Sequence, residues 1–79
     1  MPRVTVEYFA ILREHAGCAA EDVDTRAANV AELFRELQAR RGFPQLPSLK
    51  VAINDEFADW ERVLHDGDRV VFIPPVAGG

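Results

Sequence analysis

Apolar and polar residues alternate along several stretches of this 79-residue chain, and such alternation predicts β-strands. The clearest stretches are residues 3–9, 49–53 and 69–73, the last of which is apolar on both faces. Weaker segments at 21–25 and 57–60 complete a set of about five strands. The acidic segment 21–25 is expected at an edge of the sheet, because charged side chains discourage further strand pairing.

One long helix is predicted over residues 30–41, where apolar residues recur at helical spacing on a single face. Asn29 and Glu32 have the spacing of a capping box at its start. Gly42 supplies a C-terminal cap, and Pro44 prevents the helix from continuing. The apolar stripe consists of Val30, Leu33, Phe34 and Leu37.

The elements follow one another as strand, strand, helix, strand, strand, strand, with a short helix-forming stretch at 10–15 that Gly17 ends. A sheet with one main helix buries only one face against it. The fold class is therefore α+β, a mixed sheet of about five strands packed on one main helix, in a single domain 1–79 with an extended tail at 74–79. The helix is expected to cover Val4, Val6, Ile53, Val70 and Phe72.

The opposite face of the sheet keeps apolar residues that the helix does not cover. If the first and last strands are neighbours, Phe9, Val71 and Ile73 cluster beside the root of the tail, and Phe57 joins them from the rim. Exposed apolar patches usually mark protein interfaces. The alternative is that loops fold over these residues.

The chain ends in a slim tail that closes on two glycines and a free carboxylate, Pro74-Pro75-Val76-Ala77-Gly78-Gly79. Glycine has no Cβ, so a terminal Gly-Gly passes through a channel too narrow for other residues. The two prolines favour an extended backbone. Six residues reach about 20 Å at most, which suits delivery of the terminal carboxylate into the pocket of a partner. The alternative is an ordinary frayed terminus.

Composition narrows the possible partners and compartment. The formal net charge of −4 disfavours nucleic acid and anionic membranes as partners, and instead suits a protein with a basic site. Cys18 is the lone cysteine, so no internal disulfide forms, and the N-terminus lacks the apolar stretch of a signal peptide. No apolar run approaches the roughly 20 residues of a membrane helix. A cytoplasmic location is predicted.

Other residue types that carry chemistry offer weaker signals. Cys18 suggests a persulfide relay, but no basic residue lies within two positions to lower its pKa. His15 and His65 are fifty positions apart and lack metal-ligand spacing, and Lys50, the only lysine, is given no catalytic role. No metal site is predicted.

Four carboxylates around the predicted fourth strand fit no known cation-binding loop. They are interpreted as a solvated acidic rim that helps to steer a partner. These residues are Asp55, Glu56, Asp59 and Glu61.

Three segments together carry a resemblance to a known family: Tyr8 to Glu14, Val51 to Asn54, and Leu64 to Gly79. They resemble the small subunits of molybdopterin synthase, which are ubiquitin-like sulfur carriers with the β-grasp fold. The similarity covers essentially the whole chain. It is most specific where the Asp-Gly-Asp turn stands at a fixed distance from Phe-Ile-Pro-Pro-Val-Ala-Gly-Gly.

The resemblance implies a reaction at the C-terminus. An E1-like activating enzyme uses ATP to adenylate Gly79, and the adenylate is then converted to a thiocarboxylate, with Gly78 leaving clearance around it. The tail enters the large subunit of the synthase within a heterotetramer, and sulfur passes to cyclic pyranopterin monophosphate. Two carrier turnovers supply the two sulfurs of the dithiolene.

The resemblance also implies that this subunit holds no permanent cofactor and brings no acid, base or metal of its own. The residues expected to bind the partner are Phe9, Phe57, Val71, Ile73, Pro74, Pro75, Val76 and Ala77. Two alternatives stay open: a related carrier for thiamine or tRNA thiolation or for protein modification, and a binding module with an inert tail.

Overall fold

The computed structural model describes residues 2–44 and 48–74. Its elements are β1 (Arg3–Tyr8), α1 (Ile11–Ala16), β2 (Ala20–Asp24), α2 (Val30–Arg41), β3 (Lys50–Ile53), β4 (Glu56–Ala58) and β5 (Arg69–Ile73). The predicted sequence of elements is confirmed. Element bounds differ from the prediction by one or two residues, as at β1, which ends at Tyr8 rather than Phe9.

The five strands form one mixed sheet in the order β2-β1-β5-β3-β4. The first and last strands, β1 and β5, are parallel neighbours at its centre, and the remaining pairs are antiparallel. The acidic strand β2 lies at one edge, as predicted, and the three-residue strand β4 lies at the other. This arrangement confirms the β-grasp architecture.

Helix α2 has the predicted bounds and caps. The Asn29 side chain accepts a hydrogen bond from the Glu32 backbone N–H at 3.0 Å. The Glu32 carboxylate accepts from the Ala28 N–H at 3.1 Å, one residue before the position expected for a capping box. At the other end Gly42 adopts a left-handed conformation, with φ 71°, and its N–H bonds to the Gln38 carbonyl. None of the helices in the described ranges is long and apolar enough to cross a membrane.

The core lies between α2 and one face of the sheet. The stripe Val30, Leu33, Phe34 and Leu37 is buried there, and so are all five strand residues expected beneath it. Phe34 and Phe72 pack with their ring centroids 4.9 Å apart. Trp60 follows β4 and stacks on Phe72 at 6.0 Å, a packing role that the alternation pattern did not predict. The buried face therefore fixes which face of the sheet is left without a helix.

Candidate functional site

The tail begins at the centre of the sheet. Strand β5 ends at Ile73, and the next residue, Pro74, is still buried in the folded body. The first residue of the predicted tail, Pro74, is therefore part of the packed domain. The predicted reactive end, Gly78 and Gly79, lies outside the described residues, and so do Pro75, Val76 and Ala77.

The helix-free face carries an apolar surface next to this tail root. We define the open-face patch as Phe9, Ala52, Phe57, Val71 and Ile73. Val71 pairs with Ala52 across the sheet, and Ala52 pairs with Phe57, so these residues share one face. All five line one recess. The four residues predicted to bind a partner in this region are thus brought together, although partner binding by them stays a prediction.

Exposure within the open-face patch is uneven. Phe57 is 75% exposed and Phe9 is 40% exposed, whereas Ile73 is half-buried. The expectation that Val71 is exposed is wrong, since only 9% of its surface is accessible. Val71 lies in the central strand between Glu7 and Ala52, and this central position explains its burial. The patch is therefore two exposed aromatic rings around a shallow aliphatic floor.

The backbone conformation at Ala10 accompanies the exposure of Phe9. Ala10 has φ 52° and ψ −126°, a region that residues with a Cβ rarely adopt. The Leu12 N–H bonds to the Phe9 carbonyl at 3.1 Å and closes a tight turn around Ala10. The turn ends β1 after Tyr8 and leaves Phe9 and Ile11 about 40% exposed. Sequence reasoning missed this turn, because alanine gives no signal for a positive φ.

Charged side chains border the open-face patch on one side. Arg69 forms an ion pair with Asp55. Its Nε also lies 3.2 Å from Glu7 Oε2, close enough for ionic attraction although the N–H is not aligned for a hydrogen bond. Glu7, Asp55 and Arg69 line the same recess as the apolar residues. The recess therefore has an apolar part near Ile73, at the end of β5, and an ionic part near Arg69, at the start of β5.

Asp68 organises the loops from which β5 starts. It is buried, and its carboxylate accepts hydrogen bonds from Asn54 Nδ2 at 3.0 Å, Arg62 Nη1 at 3.0 Å and the His65 N–H at 2.8 Å. Burial alone would raise its pKa, but these donors outweigh burial and hold the pKa of Asp68 below its usual value. The sequence indicated only a turn here, although an aspartate between a glycine turn and an apolar strand was the available signal.

A second polar network lies on the helix side of the sheet, behind the end of β1. Glu21 accepts a hydrogen bond from the Tyr8 hydroxyl at 2.6 Å and is ion-paired with Arg41 at 2.5 Å. Burial opposes ionisation of Glu21, but the two donors hold its pKa below the usual value. Burial, followed by the bond to Glu21, raises the pKa of Tyr8. The network joins β1, β2 and the end of α2, and thereby stabilises the end of the sheet from which the tail leaves.

The remaining candidate residues form no catalytic constellation in the described ranges. His15 and His65 are exposed, and Cys18 is half-buried against the core. No group of three or more metal-ligating side chains meets within residues 2–44 and 48–74. Lys50 is exposed and pairs across the sheet with Ile73.

Comparison with known proteins gives consistent results over the full length. The sequence model of the ThiS family matches residues 6–79. The chain is 36% identical to the molybdopterin synthase sulfur carrier subunit of Mycobacterium tuberculosis, with 100% of both chains covered. It is similar to a chain in the complex of subunits 1 and 2 of the molybdopterin-converting factor from Helicobacter pylori, at 30% identity and a TM-score of 0.70, covering 98% and 99% of the two chains. It is also similar to SAMP1 from Haloferax volcanii, at 25% identity and a TM-score of 0.80, covering 98% and 99%.

Proposed function

The chain belongs to the ThiS family, and on that premise we propose that it is a sulfur carrier that serves as the small subunit of a molybdopterin synthase. The observation that carries the proposal is full-length similarity to a curated carrier subunit of this synthase, in a chain that itself ends in Gly78-Gly79. The open-face patch supports the proposal, because it is an apolar surface beside Ile73, where β5 ends and the tail begins.

The chemistry proposed for the terminus follows from the reactivity of carboxylates. A carboxylate is a poor electrophile, because attack places more negative charge on it. An ATP-dependent E1-like enzyme would convert Gly79 to an acyl adenylate, in which AMP is a good leaving group. A sulfur donor displaces AMP and leaves a thiocarboxylate. The thiocarboxylate then delivers sulfur to cyclic pyranopterin monophosphate in the large subunit.

The domain's own part in this reaction is to bind and to orient. The open-face patch packs on the large subunit, and the buried Pro74 fixes the point from which the tail extends. The H. pylori complex of two subunits supports a partner of this type. Acid and base groups come from the partner. We place these steps in the cytoplasm, where ATP is available and thiols stay reduced.

The test is reconstitution followed by intact-mass measurement. The purified chain is incubated with an activating enzyme, ATP and a sulfur donor, and a mass gain equal to the difference between sulfur and oxygen is expected. Adding the large subunit and the pterin precursor should return the mass to that of the carboxylate and yield a dithiolene. A chain that lacks Gly79 is the control. A chain that gains the sulfur mass but never delivers it to the pterin would refute the synthase assignment while leaving a general sulfur carrier.

A second candidate function is protein modification, which the similarity to SAMP1, a small archaeal modifier protein, favours. In that case the activated Gly79 carbonyl would form an isopeptide with a lysine amine of a target, and AMP or sulfide would leave. Peptide mapping of proteins captured under denaturing conditions distinguishes the two functions. Target lysines joined by an isopeptide to residues 70–79 of this chain, the fragment that cleavage after Arg69 leaves, indicate a modifier if they depend on Gly79, whereas their absence alongside thiocarboxylate formation indicates a dedicated carrier.

A further inference from the structure

The outer strand of the sheet at β4 has an unused edge. β4 lies at the end of the strand order and pairs only with β3 among the described residues. One side of its backbone therefore has no strand partner within residues 2–44 and 48–74. An unpaired edge is a template on which another extended chain can form backbone hydrogen bonds.

The same edge offers places for apolar side chains. Phe57, at the centre of β4, is 75% exposed. Two recesses flank the strand and share Phe57, Ala58 and Asp59. The first of them is also lined by Leu49 and by Trp60, whose ring is backed by its stacking on Phe72. An extended chain lying along β4 would therefore meet apolar surface at Phe57 and at the recess beside Trp60.

Three carboxylates that form no ion pair with a described side chain surround this apolar centre and outnumber the two basic side chains that line the recesses, Lys50 and Arg62. Glu56, Asp59 and Glu61 are exposed, and no arginine, lysine or histidine of the described ranges forms an ion pair with them. Arg62 lies next to them in sequence, but it pairs with Asp68. The local charge is available to a partner.

The opposite edge of the sheet provides an internal comparison. On β2, Asp22 and Asp24 both lie within 4.0 Å of Arg3, and Glu21 pairs with Arg41. Protection of the sheet edge from further pairing would explain the acidic residues on both β2 and β4. Edge protection does not explain why a phenylalanine that is 75% exposed lies at the centre of β4. Apolar residues surrounded by charge are instead the usual anatomy of a binding site.

We propose that the free edge of β4 binds an extended, lysine- or arginine-rich segment of a partner protein, which adds to the sheet as a sixth strand. Its apolar residues contact Phe57 and the recess beside Trp60, and its basic residues pair with Glu56, Asp59 and Glu61. The site goes beyond the sulfur chemistry and does not depend on it, because it uses neither the tail nor the floor of the open-face patch.

The experiment is an NMR titration of the isotope-labelled full chain with a capped hexapeptide of alternating lysine and valine. Amide shifts confined to β4, residues 59–61 and the adjacent β3 are expected, with backbone-to-backbone contacts between peptide and β4 and weaker binding at higher salt. A hexapeptide of alternating glutamate and valine should leave the spectrum unchanged.

Matched variants locate the charge requirement. The isosteric triple change Glu56→Gln, Asp59→Asn and Glu61→Gln should weaken lysine-valine binding about tenfold, on the scale of a few exposed ion pairs. Asp22→Asn with Asp24→Asn, on the other edge, should leave it unchanged. The proposal is overturned if the peptide does not bind, if it shifts β2 as strongly as β4, or if β4 shifts instead report association of two copies of the chain.

Discussion

Asp68 is the buried carboxylate on which the start of the central strand depends. Its three donors come from the β3–β4 turn, the segment after β4 and the turn before β5. Replacing the carboxylate removes the charged acceptor of three part-buried hydrogen bonds, and bonds to a charged group contribute more than ordinary hydrogen bonds. The residue therefore has a role in stability that also positions the root of the tail.

We expect Asp68→Asn to lower the free energy of unfolding by about 1–3 kcal/mol at neutral pH. The pKa of Asp68 is depressed in the folded state, so its contribution is complete above the unfolded pKa of about 4 and is lost as the pH falls through the folded value. Urea unfolding between pH 2 and pH 7 should show a smaller loss in acid for the variant than for the parent chain.

In Asp68→Asn, the decrease in the free energy of unfolding at low pH should become smaller but should not disappear, because Glu21 also has a depressed pKa. Asp59→Asn is the matched control, since Asp59 is exposed and forms no ion pair with a described basic side chain. It should keep the acid dependence of the parent chain. If Asp68→Asn loses as much stability between pH 7 and pH 2 as the parent chain does, the hydrogen bonds to the Asp68 carboxylate do not govern stability in acid.

The proposed threading of the tail through a partner should be most sensitive to a change at Gly78. A Cβ with two methyl groups would narrow the clearance next to the reacting carbonyl, so Gly78→Val should slow ATP–pyrophosphate exchange by the activating enzyme about 100-fold. Val76→Ala, which makes the tail slimmer two residues earlier, is the control and should keep near-parental exchange. Equal exchange in both variants would mean that the tail is not held in a narrow channel.

Individual elements follow local rules where the sequence is periodic. The bounds of α2 agree with the prediction because a stripe, a capping pair and Gly42 all act within one segment. The order of the strands is different, since pairing of β1 with β5 joins residues more than sixty positions apart. The burial of Val71 follows from that order, and so could not be deduced from the alternation of β5 alone.

The turn between β1 and α1 shows a second limit of local pattern. Its conformation at Ala10 is tolerated because the elements on both sides determine it. The functions of Asp68 and Trp60 were also missed, since both depend on contacts with distant strands. Of the candidate site, the sequence pattern predicts Phe9, Phe57, Val71 and Ile73 of the patch but not Ala52, and it predicts none of the residues that support them.

Strain in this turn gives a prediction of unusual sign. Ala10→Gly should raise the free energy of unfolding by about 0.5–1 kcal/mol, because relief of the positive φ exceeds the entropy cost of glycine in the unfolded chain. Ala39→Gly, on the exposed face of α2, should lower it by about 1 kcal/mol. Thermal or urea unfolding of the two variants checks the contrast. Destabilisation by both would mean that the positive φ at Ala10 costs nothing.

The sheet has two separate surfaces for the contacts proposed above, the open-face patch and the edge of β4. The open-face patch surrounds the tail root, while the β4 edge lies at the rim of the same sheet and shares only Phe57 with it. Under the proposed function, a partner that receives the tail covers the open face, and its affinity should depend on the patch.

We expect Ile73→Asp and Phe9→Asp each to weaken binding to the large subunit by about 2 kcal/mol or more, roughly 30-fold, because a charge would be placed in a desolvated contact. Calorimetric titration measures the loss, with circular dichroism to confirm folding. Val63→Asp is the control, because Val63 is 56% exposed but does not line the recess of the patch. Parental affinity in both patch variants would place the interface elsewhere.

The burial of Pro74 sets an upper limit on the distance between the sheet and the C-terminal carboxylate. Five residues follow it in the sequence, and five residues in full extension span about 17 Å. Under the proposed function, an enzyme that acts on Gly79 while bound to the open face must have its reacting centre within that distance of its contact surface. The enzyme that loads sulfur and the enzyme that unloads it would then have tunnels of similar depth, even if the two proteins share no other feature.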